Sequence, residues 1–352
     1  MNNIFDRQDV KEALRTWWED LDNRRGERAH LRRCPTLANT LNLRGTKRLH
    51  DALTELGLHA GKEQEQQVGT VAGLLAHVRS DAPEATSLGR LMAVPVAEEG
   101  RPVVSEQRFR RLLRLRDRGD LYPQMIRIIR LLDGRAPVVA LARDLFYWND
   151  RTRHAWARNY YAQALRQTEV ATASSFKEAV FDWWETLADH NDERAELRRC
   201  TTPDEVLLLR GFHRLQLYID RAETDGQCSD QQLAIIAGVL SHVKPSEAVK
   251  NQVDDTFAQQ MALPQKYVDP GRKRPKRLDG KARVSGLRFR RLLQITDRNV
   301  LFRPLIRVIH QLGGEANVQA LANDLYFWRK TGKTTRQRWA TDYYKIAPKD
   351  EV

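Results

Sequence analysis

Three cysteines in 352 residues, Cys34, Cys200 and Cys228, include no C-x-x-C pair. That argues against a disulfide framework and a cysteine zinc site, and fits a reducing cytoplasm. No apolar run approaches the roughly 18 residues of a membrane span. The polar stretch Met1 to Val10 has no apolar centre, so neither a membrane anchor nor a secretory address is expected. The chain has no G-x-x-x-x-G-K-[ST] loop and no G-x-G-x-x-G, and so no motif that cradles a nucleotide. Its nine histidines never fall at H-x-x-x-H spacing, and Glu19, Asp144, Glu185 and Asp324, each a single carboxylate on an amphipathic helix, do not make the converging set that metal-assisted hydrolysis needs. No cofactor, no metal and no catalytic residue are expected. Alternating β-branched runs bounded by tight turns are also missing, which leaves little room for a sheet.

What the chain does have is positive charge. Lys and Arg number 59 against 46 Asp and Glu, a net +13 with an isoelectric point near 9.8. An acidic partner is implied, and nucleic acid is the commonest one. Residues 1–170 carry +7 and residues 171–352 carry +6, so a basic tail on a neutral domain is excluded.

The chain also repeats itself. Trp17-Trp18-Glu19 recurs as Trp183-Trp184-Glu185, Glu27 to Cys34 as Glu193 to Cys200, and Leu43-Arg44-Gly45 as Leu209-Arg210-Gly211, all 166 residues apart. The offset becomes 165 at His77-Val78 and His242-Val243, then 180 at Arg108–Leu113 and Arg288–Leu293. Collinear matching over this length means two whole domains in tandem, 1–166 and 176–352. The small polar stretch 167–175 joins them, able to reach about 30 Å. The jump in offset places an insertion near 266–282, KYVDPGRKRPKRLDGKA, too rich in Lys, Arg, Pro and Gly to form a core.

Helical periodicity runs throughout. The expected class is all-α: two homologous helical bundles of about five or six helices each. Ser105 and Ser285 stand where an N-cap would precede the Phe109 and Phe289 helices. On one helix at about 100° per residue, Arg108–Arg118 (RFRRLLRLRDR) puts Phe109, Leu112, Leu113 and Leu115 on one side. Arg110, Arg111, Arg114 and Arg118 fall on the other. Copy two repeats this with Arg290, Arg291 and Arg298 outward, while Gln294 replaces Arg114. The next helix adds Arg127 and Arg130, matched by Arg307 and His310. Residues 101–130 hold nine Lys or Arg and three Asp or Glu, so one helical hairpin concentrates the surplus. Planar guanidinium forks suit phosphate. The competing reading is a solvated face salt-bridged to acidic neighbours, but carboxylates are scarce there.

A second basic group is Arg32, Arg33, Arg44, Lys47 and Arg48, matched by Arg198, Arg199, Arg210 and Arg214. For it, structural pairing with Glu27 and Glu193 is an equal competitor. Trp17, Trp18, Trp148, Trp156 and Tyr160 read as core, and Cys34 and Cys200 as small buried fillers. His77 and His242 read as satisfied structural histidines, and Asp144 and Asp324 as arginine partners or caps.

These motifs occur in fixed order: a tryptophan helix, R-A-x-L-R-R, S-x-x-R-F-x-R-L-L, L-A-x-D-L-x-x-W and W-A-x-x-Y-Y. Together they resemble the CasB family, the small subunit of the type I-E CRISPR effector complex Cascade. The resemblance covers both copies and implies a non-catalytic, all-helical, cytoplasmic subunit. Two such units would lie in the belly of the complex, beside crRNA and target DNA, holding the displaced strand and touching backbone and large subunits. Residue by residue, Arg33, Arg48, Arg108, Arg114, Arg127 and Arg130 match the family's basic surface, as do Arg199, Arg214, Arg288 and Arg307 in copy two. Gln294 and His310 depart from it. The family normally has one domain per chain, so a tandem chain would supply both belly subunits by itself. A helical adaptor whose basic face meets an acidic protein is the alternative, and a metal-dependent nuclease the least favoured.

Overall fold

The computed structural model of the chain describes residues 4–58, 61–83, 86–96, 100–166, 168, 173, 175–222, 228–245, 256–264, 280–328 and 332–348. Residues 266–279 of the expected insertion, and most of 167–174, lie outside them. The fold is all-α, in two units, residues 1–167 and 168–352. Among the described residues, β structure amounts to one two-residue parallel pair, β1 (Ser80–Asp81) with β2 (Arg135–Ala136), and two isolated bridges.

The first unit runs α1 (Gln8–Asn23), α2 (Arg25–Arg32), α3 (Arg44–Glu55), α4 (Lys62–Leu75), α5 (Leu88–Ala93), α6 (Glu106–Leu113), α7 (Arg118–Leu131), α8 (Val138–Phe146) and α9 (Asp150–Ala164). The second runs α10 (Phe176–Thr186), α11 (Asn191–Arg199), α12 (Pro203–Val206), α13 (Arg210–Arg221), α14 (Asp230–Leu240), α15 (Phe257–Ala262), α16 (Gly286–Gln294), α17 (Arg298–Gln311), α18 (Val318–Phe327) and α19 (Gly332–Ile346). This exceeds the expected five or six per copy. Several helices are only one or two turns long, too short for periodicity to register them.

Each unit is built around a helix that is buried on every side over most of its length. In α4 every residue from Gln67 to Leu75 is buried, and the helix packs against α3, α7 and α8. Its counterpart α14 is buried from Leu233 to Leu240 and packs against α12, α13, α17 and α18. A helix without a polar stripe is stable only when surrounded.

The tryptophans lock this arrangement identically in both copies. Trp17 Nε1 donates to the Gly45 carbonyl at 3.0 Å and Trp183 Nε1 to that of Gly211 at 2.9 Å. A Cβ on Gly45 or Gly211 would sit 2.9 Å from Leu31 Cδ1 or Leu197 Cδ1, so a larger residue there would have to displace that leucine. Trp18 donates to Val78 and Trp184 to Val243, while Trp156 and Trp339 each donate at 2.6 Å to Asp144 and Asp324. The recurring carboxylates are thus structural acceptors, also paired with Arg143 and Arg338. Cys34 is buried beneath α2; Cys200 is only half-buried.

Candidate nucleic-acid interface

The arginine helix α6 is pinned from below. Phe109 stacks on Tyr160 of α9 with ring centres 3.9 Å apart, and Phe289 of α16 stacks on Tyr343 of α19 at the same 3.9 Å. Tyr160 and Tyr343 donate their hydroxyls to the Val104 and Val284 carbonyls. Ser105 and Ser285 occupy the N-cap positions in extended conformation, but neither side chain makes a capping bond.

The sequence stretch 108–118 is not one helix. Helix α6 stops at Leu113 with Arg114 as its C-cap. Asp117 then caps α7, its Oδ1 accepting from the Gly119 and Asp120 amides at 2.7 and 3.2 Å, a contact worth about 1 kcal/mol. The end of α6 is held by Arg153, buried, which donates to the Leu113 carbonyl at 2.7 Å, and by Trp148, which donates to that of Leu115 at 2.8 Å. Arg336 and Trp328 do the same for Leu293 and Ile295 in copy two.

Helices α6 and α7 thus form a hairpin whose outer faces converge. Arg108, Arg111, Arg127 and Arg130, with Gln124, rim a groove of about 450 Å³ over Leu112, Ile128 and Leu131. All four arginines are exposed, and none has an ion pair with a described carboxylate. Arg127 donates only to Gln124 Oε1, at 3.3 Å. Arg114 and Arg33 are likewise exposed at the C-caps of α6 and α2.

The positive field extends beyond the hairpin. Desolvation, and then the like charges of Arg79, Arg28 and Arg130, weaken proton binding by Arg32. Beneath them His77 is buried, and burial with Arg130, Arg32 and Arg28 pushes its pKa down to about 4. Its Nε2 has no hydrogen-bond partner, so it is structural but not satisfied. Arg79 escaped sequence reasoning altogether; the one available signal was that Lys244, its copy-two counterpart, is also basic.

Several of the sequence-selected arginines are engaged within the protein. Arg48 donates to Glu27 at 3.1 Å and Asp20 at 2.5 Å, and Arg44 reaches the same Glu27 at 3.5 Å. Arg214 is buried and forks onto Glu193 at 3.0 and 2.7 Å. For Arg48 and Arg214 the structural pairing prevails, because their carboxylates come from the neighbouring helices α1, α2 and α11. Arg118 donates to the Leu145 and Phe146 carbonyls and so caps α8. Arg298 caps α18 at the Tyr326 carbonyl, 2.8 Å away. Arg110 is only half-exposed, 3.9 Å from Glu106. Arg110 and Arg118 therefore do not join Arg111 and Arg114 in one stripe.

In copy two, Arg199, Arg288, Arg290, Arg291 and Arg307 are exposed, without an ion pair to a described carboxylate. Arg288 donates to Gln311 Oε1 at 3.2 Å. His310, in the place of Arg130, meets His242 at 2.9 Å. Burial, His310 and then Arg198 and Arg194 lower the His242 pKa to about 4.

Among the described residues no group of three or more His, Cys, Asp or Glu could hold a metal ion, and no helix is long and apolar enough to cross a membrane. The fold and surface define a class: a duplicated all-helical protein whose two bundles each expose an arginine hairpin. More narrowly, the family model described as CRISPR-associated protein Cse2 matches residues 27–161 and again 193–344, and the chain belongs to that family, the small subunit of CRISPR Cascade, with its domain present twice. No curated protein and no solved structure matches the chain.

Proposed function

We propose that this chain is a non-catalytic, cytoplasmic subunit of a type I-E Cascade complex, and that one polypeptide, joined through 167–175, supplies both belly units. Its arginine hairpins lie along nucleic-acid backbones and stabilise the crRNA–target heteroduplex and the displaced strand. Guide pairing reads the sequence; the protein adds backbone charge. Backbone and large subunits are its protein partners.

The observation that carries this reading is the groove rimmed by Arg108, Arg111, Arg127 and Arg130. In copy two Arg288, Arg291 and Arg307 occupy the corresponding positions, and Arg33, Arg114, Arg199 and Arg290 add outlying charge. An acidic protein would also satisfy a cationic rim. What favours nucleic acid is family membership together with guanidinium forks that match phosphate geometry. The test is replacement of the four rim arginines by alanine in the full chain. Weaker binding of nucleic acid with a flatter salt dependence is expected, and unchanged binding would refute the reading.

A further inference from the structure

The copy-one groove is more than a charged track. Leu131, at its edge, is among the few large apolar side chains left exposed in the described residues, with 39% of its surface open. It extends an apolar floor to which Leu112 and Ile128, only 2% and 4% exposed, present their outermost atoms, inside a rim of four guanidiniums. Phosphates alone have no use for such a floor. About 450 Å³ lies within the range of sites that take small organic groups.

We propose that this groove seats an unstacked nucleobase on Leu112, Ile128 and Leu131 while the arginines hold the phosphates on either side, which makes copy one selective for single strands. Bases have apolar faces that rest on aliphatic side chains and on guanidinium planes. In a duplex those faces are stacked and cannot enter. The charge complementarity of the rim commits the occupant to a polyanion, and the floor commits it to one with free bases. This inference rests on the phosphate-binding reading above.

The second copy keeps Leu292 and Val308 where copy one has Leu112 and Ile128, and differs at the exposed edge of the floor. Gln311 stands at the position of Leu131, accepts from Arg288 at 3.2 Å and donates to the Arg283 carbonyl. His310 stands at the position of Arg130 and is engaged by His242. Pro304 stands at that of Gln124. An exposed apolar edge has become a polar side chain bonded across to the arginine helix, so copy two keeps backbone cations without the base seat. The two domains thus divide the work: one holds strands with free bases, the other holds backbone of either kind.

The test uses the full chain and three labelled probes of one length: an ordinary single strand, the same strand made abasic, and a duplex. The wild-type chain is expected to bind the ordinary strand about five- to tenfold more tightly than the abasic one. Leu131→Gln, which installs the copy-two residue on the surface, should abolish that preference, the ordinary strand losing more affinity than the abasic strand or the duplex. Equal wild-type affinity for ordinary and abasic strands, or a Leu131→Gln variant that weakens all three alike, overturns the base seat. The four-arginine variant separates the two readings. If it weakens all three probes, phosphate binding stands whatever Leu131→Gln does. If it weakens none, or the wild-type chain binds no probe, the phosphate reading falls and the base seat with it.

Discussion

Arg214 and Arg307 look alike in the sequence, each a basic residue repeated between copies, yet the structure gives them opposite consequences on substitution. Arg214 is 8% exposed and Glu193 4% exposed, joined by two hydrogen bonds. Arg214→Met keeps the length of the stem and strands the carboxylate. Breaking a buried pair on one side costs about 3–5 kcal/mol. Arg210 stays 3.3 Å from the same carboxylate and offsets part of that, so the lower end, about 3 kcal/mol, is expected. Replacing both partners, Arg214→Met with Glu193→Leu, removes the stranded charge and should come back to within about 1 kcal/mol of wild type. The copy-one equivalent is wetter: Arg48 is 27% exposed, and Asp20 retains Arg24 as a partner. Arg48→Met should therefore cost only about 1 kcal/mol. Hydrogen exchange over 210–221 and 44–55 reads each domain separately. Unchanged protection over 210–221 in Arg214→Met, or lost nucleic-acid binding with protection intact, would refute the reasoning.

Other consequences can be checked as directly. A Cβ at Gly89 of α5 would lie 2.6 Å from the Trp156 carbonyl oxygen of α9, backbone that cannot step aside. Gly89→Ala should cost about 2 kcal/mol and lower Tm by about 5 °C, whereas Gly26→Ala, with nothing within 4 Å, should be neutral or slightly stabilising. His77 and His242 are held neutral down to about pH 4 while the unfolded chain protonates them near 6.5. Their contribution is complete above pH 6.5 and is lost as pH falls to 4, amounting to about 1–2 kcal/mol each at pH 5. Urea titrations at pH 7 and pH 5 should show a smaller acid loss in His77→Gln with His242→Gln than in wild type; an equal loss contradicts the assignment. Native mass measurement of the assembled complex should find one copy of this chain, and two copies would contradict the fused-subunit reading.

The fold was legible because its signals were local and doubled. The recurrence of Trp17-Trp18 and of Tyr160-Tyr161 revealed the tandem repeat, and 3.6-residue periodicity revealed the all-α class, though not the helices of one or two turns. What escaped was whatever needed a second element. A helical wheel carried α6 through Leu115 to Arg118 because the apolar spacing continues, although Asp117 followed by Gly119 signals a cap and a new start. Arg48 and Arg214 could be judged only once α2 and α11 had delivered Glu27 and Glu193, each 21 residues earlier in the chain. Arg118 and Arg298 are held by carbonyls, which no residue name reveals. Conversely, Arg79 belongs to no motif and joins Arg32 and Arg130 only through the fold.

The most direct test measures binding of the full chain to nucleic acid over a range of salt, for wild type and for the variant with alanine at Arg108, Arg111, Arg127 and Arg130. Each phosphate contact contributes roughly 0.7 to 0.9 to the slope of log K against log salt. If the four guanidiniums each engage a phosphate, the variant's slope should be shallower by about 3. The same slope and the same affinity in both proteins would contradict the account.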